Sequence, residues 1–352
     1  IMMRPVAFTR DGGLDSLVLV FHHVAVDDQS LGIIVDDLLE AIGGSMPGPE
    51  DRSFVEWSEQ RPDSKDDDVE WWQDRLVDVP VDLDLPVEDS IPRSSTRSRE
   101  VTARIPREMT ARIDRRLKIE GDTRSGVAVN AFKETLFELD LARGDRISIA
   151  TPMSLRDHPL VSRTVGMFLN TLPVVLERND DCNAASKALW ETRRHRNLPF
   201  LKIIDAVPRT KNASRAPWLD ACMGIMERSG ADESSWAPLF SGATAFPILV
   251  MTRWSDSEIQ VTCQVQERHG GAKLATEIIE NLIDRIQRHA ISGVDRSSSV
   301  SELRSEVPVG ERRPRNVVEI VDEVAHRSPE NVAIESANGE RSVDHSMLSR
   351  MS

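Results

Sequence analysis

Leu14-Asp15-Ser16-Leu17-Val18-Leu19-Val20 runs directly into Phe21-His22-His23-Val24-Ala25-Val26-Asp27, and Asp28-Gln29-Ser30 then opens an apolar stripe at Leu31, Ile33, Ile34, Val35, Leu38, Leu39 and Ile42. The first segment is a short apolar run with strand character. The stripe recurs at helical spacing, and Ser30 before it is a good N-cap. The stretch reads as strand, loop and helix, with two histidines at the strand's end, a common place for catalytic groups in α/β folds. Adjacent side chains on a strand point to opposite faces, so only one histidine enters a given cleft. A neutral imidazole can take a proton from an attacking amine or hydroxyl near pH 7. Asp27, four residues beyond His23, can anchor the loop by pairing with an arginine. Taken alone the pair is weak evidence, because most such pairs are structural or surface residues.

Outward from this stretch, residues 43–53 are loop-like, with Gly43, Gly44, Pro47 and Pro49, and short helices are expected at Phe54–Glu59 and Val69–Leu76. Residues 77–98 are extended and punctuated by proline. Met109, Ile113 and Leu117 mark one face of a helix, and a second helix runs from about Gly126 to Ala142, with Gly144 as its C-cap. Strands are expected at Arg146–Thr151, Thr171–Leu176, Pro247–Thr252 and around Ile259–Val265, with helices over 184–196 and along Ile278–Ile286. Residues 292–315 are rich in Ser, Arg and Pro and read as a linker, followed by a short helical pattern at Val317–Ala325. Helices and strands alternate without a regular βαβ rhythm, so the expected class is α/β with mixed sheets. No Gly-rich phosphate loop precedes a helix, which removes the usual nucleotide readings.

The chain has 352 residues and a formal charge of -14, from 44 Lys and Arg against 58 Asp and Glu. That balance argues against wrapping nucleic acid. Cys182, Cys222 and Cys263 lack metal-ligand spacing and read as reduced thiols. No apolar stretch approaches membrane-spanning length, and no signal-peptide pattern opens the chain, so a cytoplasmic location is expected. No metal is expected: His22 and His23 are neighbours rather than i and i+4 on a helix, and no ligand cluster accompanies them. The absence of a Gly-x-Ser-x-Gly turn argues against a serine hydrolase.

The surroundings of the histidines raise their weight. His-His-x-x-x-Asp after an apolar strand, with Ser30 at the mouth of a helix, resembles the signature of the condensation-domain superfamily of nonribosomal peptide synthesis. The likeness continues in order through Phe54-Val55-Glu56-Trp57, through Trp72-Gln73-Asp74-Arg75-Leu76 with Leu83-Asp84-Leu85-Pro86, and through Asp145 to Arg156. It extends over Val165-Gly166-Met167-Phe168-Leu169-Asn170-Thr171-Leu172, His195-Arg196-Asn197-Leu198-Pro199-Phe200 and Ser214-Arg215-Ala216-Pro217. Each block is weak by itself; their order is the strong signal.

The resemblance implies a chloramphenicol-acetyltransferase-like fold of two lobes with a tunnel between them. Two carrier proteins, upstream and downstream, deliver phosphopantetheine-bound substrates from opposite mouths, and no intrinsic cofactor is needed. It implies that His23 is catalytic, either removing the acceptor amine's proton or holding the amine for attack on the donor thioester. His22 is then structural, and Asp27 shapes the loop through an ion pair with Arg156. Asp28, where the family usually has glycine, and Ser30 line the tunnel. So does Asn170, for which a turn role before the strand at Thr171 is an equal alternative. Phe54, Trp57, Trp72, Phe200 and Trp218 read as packing residues.

Only 21 residues precede His22, so the first lobe is expected to be incomplete. The resulting division is 1–105 for the remainder of the N-terminal lobe, 106–291 for the C-terminal lobe, 292–315 for the linker and 316–352 for the start of an adenylation-like domain. The last assignment rests on Val317–Ala325 and on Ser328-Pro329-Glu330-Asn331-Val332-Ala333-Ile334. The function implied is amide formation between carrier-bound acyl groups. The alternatives are an ester-forming or CoA-dependent acyltransferase of the same superfamily, and a non-catalytic fragment with a docking role.

Overall fold

The computed structural model describes residues 3–10, 13–45, 48, 53–60, 66–157, 159–207, 216–227 and 241–288, and the backbone of three short strands at 310–312, 332–335 and 342–344. Ser214 and Arg215, the helical pattern at Val317–Ala325 and most of the 292–315 linker lie outside the described residues.

Strands β1 (Met3–Arg10) and β2 (Gly13–Phe21) form an antiparallel hairpin, which passes through a 3-10 turn at His23–Ala25 into α1 (Asp28–Ile42). Helices α2 (Phe54–Glu59) and α3 (Asp66–Leu76) follow. Serine 53 opens α2 with a capping box: its hydroxyl accepts from the Glu56 N–H while the Glu56 carboxylate accepts from the Ser53 N–H.

The remaining elements are β3 (Ser98–Pro106), α4 (Arg107–Glu120), α5 (Arg124–Glu138), β4 (Arg146–Ser154), β5 (Leu169–Glu177), α6 (Cys182–Arg194), α7 (Phe200–Ala206), β6 (Ala221–Glu227), β7 (Ile248–Trp254), β8 (Glu258–Gln266), α8 (Gly271–Arg288) and β9 (Gly310–Arg312). A second hairpin joins β10 (Val332–Glu335) to β11 (Ser342–Asp344). The main sheet has seven strands in the order β5-β4-β6-β7-β8-β3-β9. β6 runs parallel to β4 and β7, and every other pairing is antiparallel. The mixed α/β class expected from sequence is the class observed.

One face of this sheet is the core. Ile248, Val250 and Trp254 on β7, and Ile259, Val261, Cys263 and Val265 on β8, are sealed from solvent. Ile278, Ile279, Leu282 and Ile286 of α8 cover them, and Val127, Phe132 and Leu136 of α5 join the same cluster. At about 25 cal/mol per Å² of apolar area, each of these side chains contributes roughly 1.5–3 kcal/mol before entropy is charged. Helices α5 and α6 approach so closely at Gly126 that a Cβ there would stand 1.9 Å from Ser186 Oγ.

Several sequence expectations are corrected. Helix α5 ends at Glu138 with Leu139 as C-cap; Gly144, at φ 72°, serves the turn into β4 instead. β3, β6 and α7 were not anticipated, and β3 runs whole through the 105–106 boundary as part of the main sheet. β9 falls inside the expected linker and pairs with β3. β3 hides because its register partner β8 buries Val101, Ala103 and Ile105, a tertiary effect that outweighs its three charged residues.

Candidate functional site

The histidines stand just past β2, not on it. His22 is the N-cap of the 3-10 turn with φ -71° and ψ 125°, and His23 is the turn's first residue. The strand rule of alternate faces therefore does not apply to them. The turn closes through Ala25 N to His22 O at 2.9 Å and Val26 N to His23 O at 3.4 Å.

The two rings make different bonds. His22 Nδ1 accepts from the Val24 N–H at 3.2 Å, so that nitrogen is bare. His23 Nδ1 lies 3.0 Å from the Val26 carbonyl oxygen. A carbonyl only accepts, so His23 Nδ1 is the donor, and in the neutral ring Nε2 is then the acceptor. Both residues are exposed.

Below the turn lies a closed polar frame. Asp27, and not Ser30, is the N-cap of α1; its Oδ1 accepts from the Ser30 N–H at 2.8 Å and Ser30 sits inside the first turn. Asp28 is the first helical residue, exposed, where a carboxylate favours the helix's positive end. Arg156 reaches Asp27 from the far end of β4, with Nη2 to Oδ1 at 2.9 Å and Nε to Oδ2 at 3.2 Å. Its other N–H groups go to Ser30 Oγ at 2.9 Å and to the carbonyls of Val161 at 2.6 Å and Thr164 at 2.8 Å. All five guanidinium protons are thus used. The two side chains are 4% and 3% exposed, so this ion pair is desolvated. Burial by itself would raise the Asp27 carboxyl, but hydrogen bonds from Arg156 and Ser30, with the arginine's charge, hold it below its ordinary value.

Ser30 Oγ is a junction. It shares its proton between Asp27 Oδ1 at 2.6 Å and the Gly166 carbonyl at 2.9 Å, and accepts from the Gly166 N–H at 3.0 Å. Phe168 N donates to Asp27 Oδ2 at 3.2 Å. The Phe168 ring, fully buried, carries Arg156 above it at 4.0 Å and meets Phe54 edge-on at 5.0 Å and Trp57 at 4.6 Å. A Cβ at Gly166 would stand 2.3 Å from the Phe54 ring, so only glycine fits there.

Asn170, on β5, is buried and its amide is spent on protein. Nδ2 donates to the Arg196 and Leu198 carbonyls, both at 2.8 Å, and Oδ1 accepts from Phe200 N at 3.3 Å. The structure brings His22, His23, Asp27, Asp28, Ser30 and Arg156 together around one loop, with Asn170 holding the neighbouring segment 196–200. Sequence reading missed the carbonyls of Val161 and Thr164 and the N–H of Phe168, because backbone groups carry no side-chain signature. It also missed Arg163, which pairs with Asp37 of α1. Among the described residues no His, Cys, Asp and Glu group could hold a metal ion, and no helix is long and apolar enough to cross a membrane.

Residues 1–279 match a family described as the condensation domain. Surfactin synthase subunit 2 of Bacillus subtilis (strain 168) is 26% identical over 219 residues, which is 57% of this chain and 6% of that protein. The chain therefore spans a small fraction of the curated relatives it matches. The X-domain from teicoplanin biosynthesis superposes with a TM-score of 0.69 at 18% identity, over 82% of this chain and 72% of that one. Holo-AB3403, a four-domain nonribosomal peptide synthetase bound to AMP and glycine, superposes with a TM-score of 0.68 at 16% identity, over 99% of this chain and 29% of that one.

Proposed function

Because the chain belongs to the condensation-domain family, we propose that it joins two acyl groups carried as phosphopantetheine thioesters, forming an amide in nonribosomal peptide synthesis. Condensation domains are acyltransferases, and the reaction needs an amine, a thioester and a proton acceptor. The amine nitrogen attacks the donor's carbonyl carbon. The C–N bond forms, the C–S bond breaks, and the nitrogen's proton passes through the site to the departing thiolate.

The observation that carries this reading is the 3.0 Å contact of His23 Nδ1 with the Val26 carbonyl. With Nδ1–H held by the Val26 carbonyl at 3.0 Å, Nε2 of the neutral ring is left as the acceptor for the amine proton. That bond also permits the second role, in which Nε2 holds and orients the amine and the gain comes from proximity and electrostatics. His22 caps the turn. Asp27 and Arg156 fix where the turn enters α1, and Ser30 and Gly166 tie that frame to the stretch before β5. Asp28, exposed in the first turn of α1, is the residue we assign to the tunnel wall.

The partners are carrier proteins upstream and downstream, which supply the phosphopantetheine arms, and an adenylation domain following in the same polypeptide. The superposition of 99% of the chain on a four-domain synthetase supports that last assignment. We assign 316–352 to the start of that domain and 1–291 to the two condensation lobes, in a cytoplasmic enzyme.

The test is acyl transfer between two loaded carrier proteins, followed by intact mass, for the chain and for His23→Ala. Loss of a positioned acid–base group lowers the rate by about 10²–10⁴-fold. Equal transfer by both forms would sink the role of His23. Transfer to free CoA, or to a hydroxyl in preference to an amine, would favour an ester-forming or CoA-dependent activity instead.

A further inference from the structure

We infer that Arg196 is a positioning residue of this site: it clamps the turn that carries Arg156, and so sets the Asp27 frame beneath His23. The inference rests on the reading of His23 and Arg156 just proposed and adds a residue to it.

Arg156 is rooted in a short turn after β4. Its own N–H lies 3.3 Å from Ser154 Oγ, and Asp157 N reaches the Leu155 carbonyl at 3.0 Å. One backbone bond, from Leu155 N to the Phe168 carbonyl at 2.8 Å, ties the start of the turn to the stretch before β5. Arg196 adds a second tie, on both sides of Arg156. Its Nε donates to the Ser154 carbonyl at 2.9 Å, and its Nη2 pairs with the Asp157 carboxylate. The two contacts fall on either side of Arg156 in sequence. A guanidinium is planar and donates in a fixed fork, so both contacts hold only when the turn has one orientation.

Arg196 is itself held from three directions. Its Nη1 donates to the Arg193 carbonyl at 2.6 Å, which ties it to the end of α6. Its carbonyl accepts from Asn170 Nδ2 at 2.8 Å, which ties it to β5. The residue before it, His195, bonds Asp68 of α3 through Nδ1 at 2.7 Å, stacks on Trp71 with ring centroids 4.2 Å apart, and gives its carbonyl to Trp72 Nε1 at 3.2 Å. The Arg196 side chain is 15% exposed, against 48% for Asp157. A surface ion pair contributes little to stability. A guanidinium that gives one bond from each nitrogen, to the Ser154 carbonyl, the Arg193 carbonyl and the Asp157 carboxylate, is instead a device for geometry.

The effect is on placement more than on folding. Misplacement of a reacting group by about 1 Å can cost on the order of 100-fold in rate. Arg196→Gln keeps one donor and loses the fork; Arg196→Lys keeps the charge and loses planarity. The experiment has two readouts on the full chain. The first is nitrogen-15 NMR of arginine-labelled protein, with Arg156 assigned through Arg156→Lys. A fully bonded guanidinium gives a protected, slowly exchanging Nε–H signal, and Arg196→Gln is expected to broaden or shift that signal. The second is the rate of acyl transfer against carrier concentration, with kcat falling roughly 10- to 100-fold in Arg196→Gln and KM unchanged. The first readout needs no activity, so failure of the acyl-transfer reading leaves it standing. An unaltered Arg156 signal in Arg196→Gln overturns the clamp, as does an increase in KM with kcat unchanged. Should Arg196→Gln fail to fold, Asp157→Ala removes only the outer contact; an unchanged Arg156 signal there overturns it too.

Discussion

Replacement of Arg156 by methionine tests the central energetic claim. Methionine has similar length and no charge, so the change leaves the Asp27 carboxylate buried without its counterion. Asp27 keeps the Ser30 N–H at 2.8 Å, the Ser30 hydroxyl at 2.6 Å and the Phe168 N–H at 3.2 Å, and loses both bonds from the guanidinium. The carbonyls of Val161 and Thr164 lose their donor as well. Breaking one side of a buried pair costs about 3–5 kcal/mol. With a urea m-value of about 3 kcal/mol/M, the unfolding midpoint falls by roughly 1–1.7 M. The double variant Asp27→Asn with Arg156→Met removes both charges, and recovers roughly 1–3 kcal/mol of the loss through coupling. The pH dependence adds a sign. In the native protein the Asp27 carboxyl lies below its ordinary 3.8, so its contribution is complete above that value and is lost as pH falls through the lower folded value. In Arg156→Met the burial remains while the arginine's bonds are gone, so the carboxyl moves up instead. The variant's deficit is then full at neutral pH and shrinks as pH falls through the raised value. A midpoint shift under about 0.3 M at pH 7, or a deficit that grows on acidification between pH 7 and 4, would refute this reasoning.

Gly166→Ala drives a methyl into Phe54, 2.3 Å away, and is expected to destabilise by about 1–3 kcal/mol; Gly166→Ala with Phe54→Ala recovers part of it, and thermal melting reads both. The three cysteines are buried and burial raises their thiols, Cys182 to about 12 and Cys222 and Cys263 further, so iodoacetamide at pH 8 labels none in the native chain and all three in guanidinium. Lys133 is fully buried, with Nζ on the Asp180 carbonyl at 2.5 Å and its pKa pulled down by burial from 10.5. The cost of burying that charge is therefore expected to be full at pH 7 and to fade as pH rises from the lowered value toward 10.5, so the native chain gains stability relative to Lys133→Met over that range, read by urea melts.

Much of this chain is legible one residue at a time. The apolar spacing of Ile278, Ile279, Leu282 and Ile286 predicts a helix, and the alternation of Ile259, Val261, Cys263 and Val265 predicts a strand, because burial of one face is a local periodic demand. The order of the blocks from His22 to Pro217 carries the family, which the match over 1–279 shows. What chain order does not carry is which groups share a space. The helix start is an example: Ser30 and Asp27 are both good caps, and Asp27 takes the place because Arg156 and Phe168, 129 and 141 residues away, compensate its buried charge. Ser30 is then drawn inward to Gly166, a partner 136 residues distant. The histidine turn follows the same logic, since the curl after β2 is needed to bring Asp27 under that arginine. Periodicity is a property of neighbours in sequence and can be read there. Hydrogen-bond partnership across a desolvated frame is a property of neighbours in space, and only the packed sheet and its loops decide it.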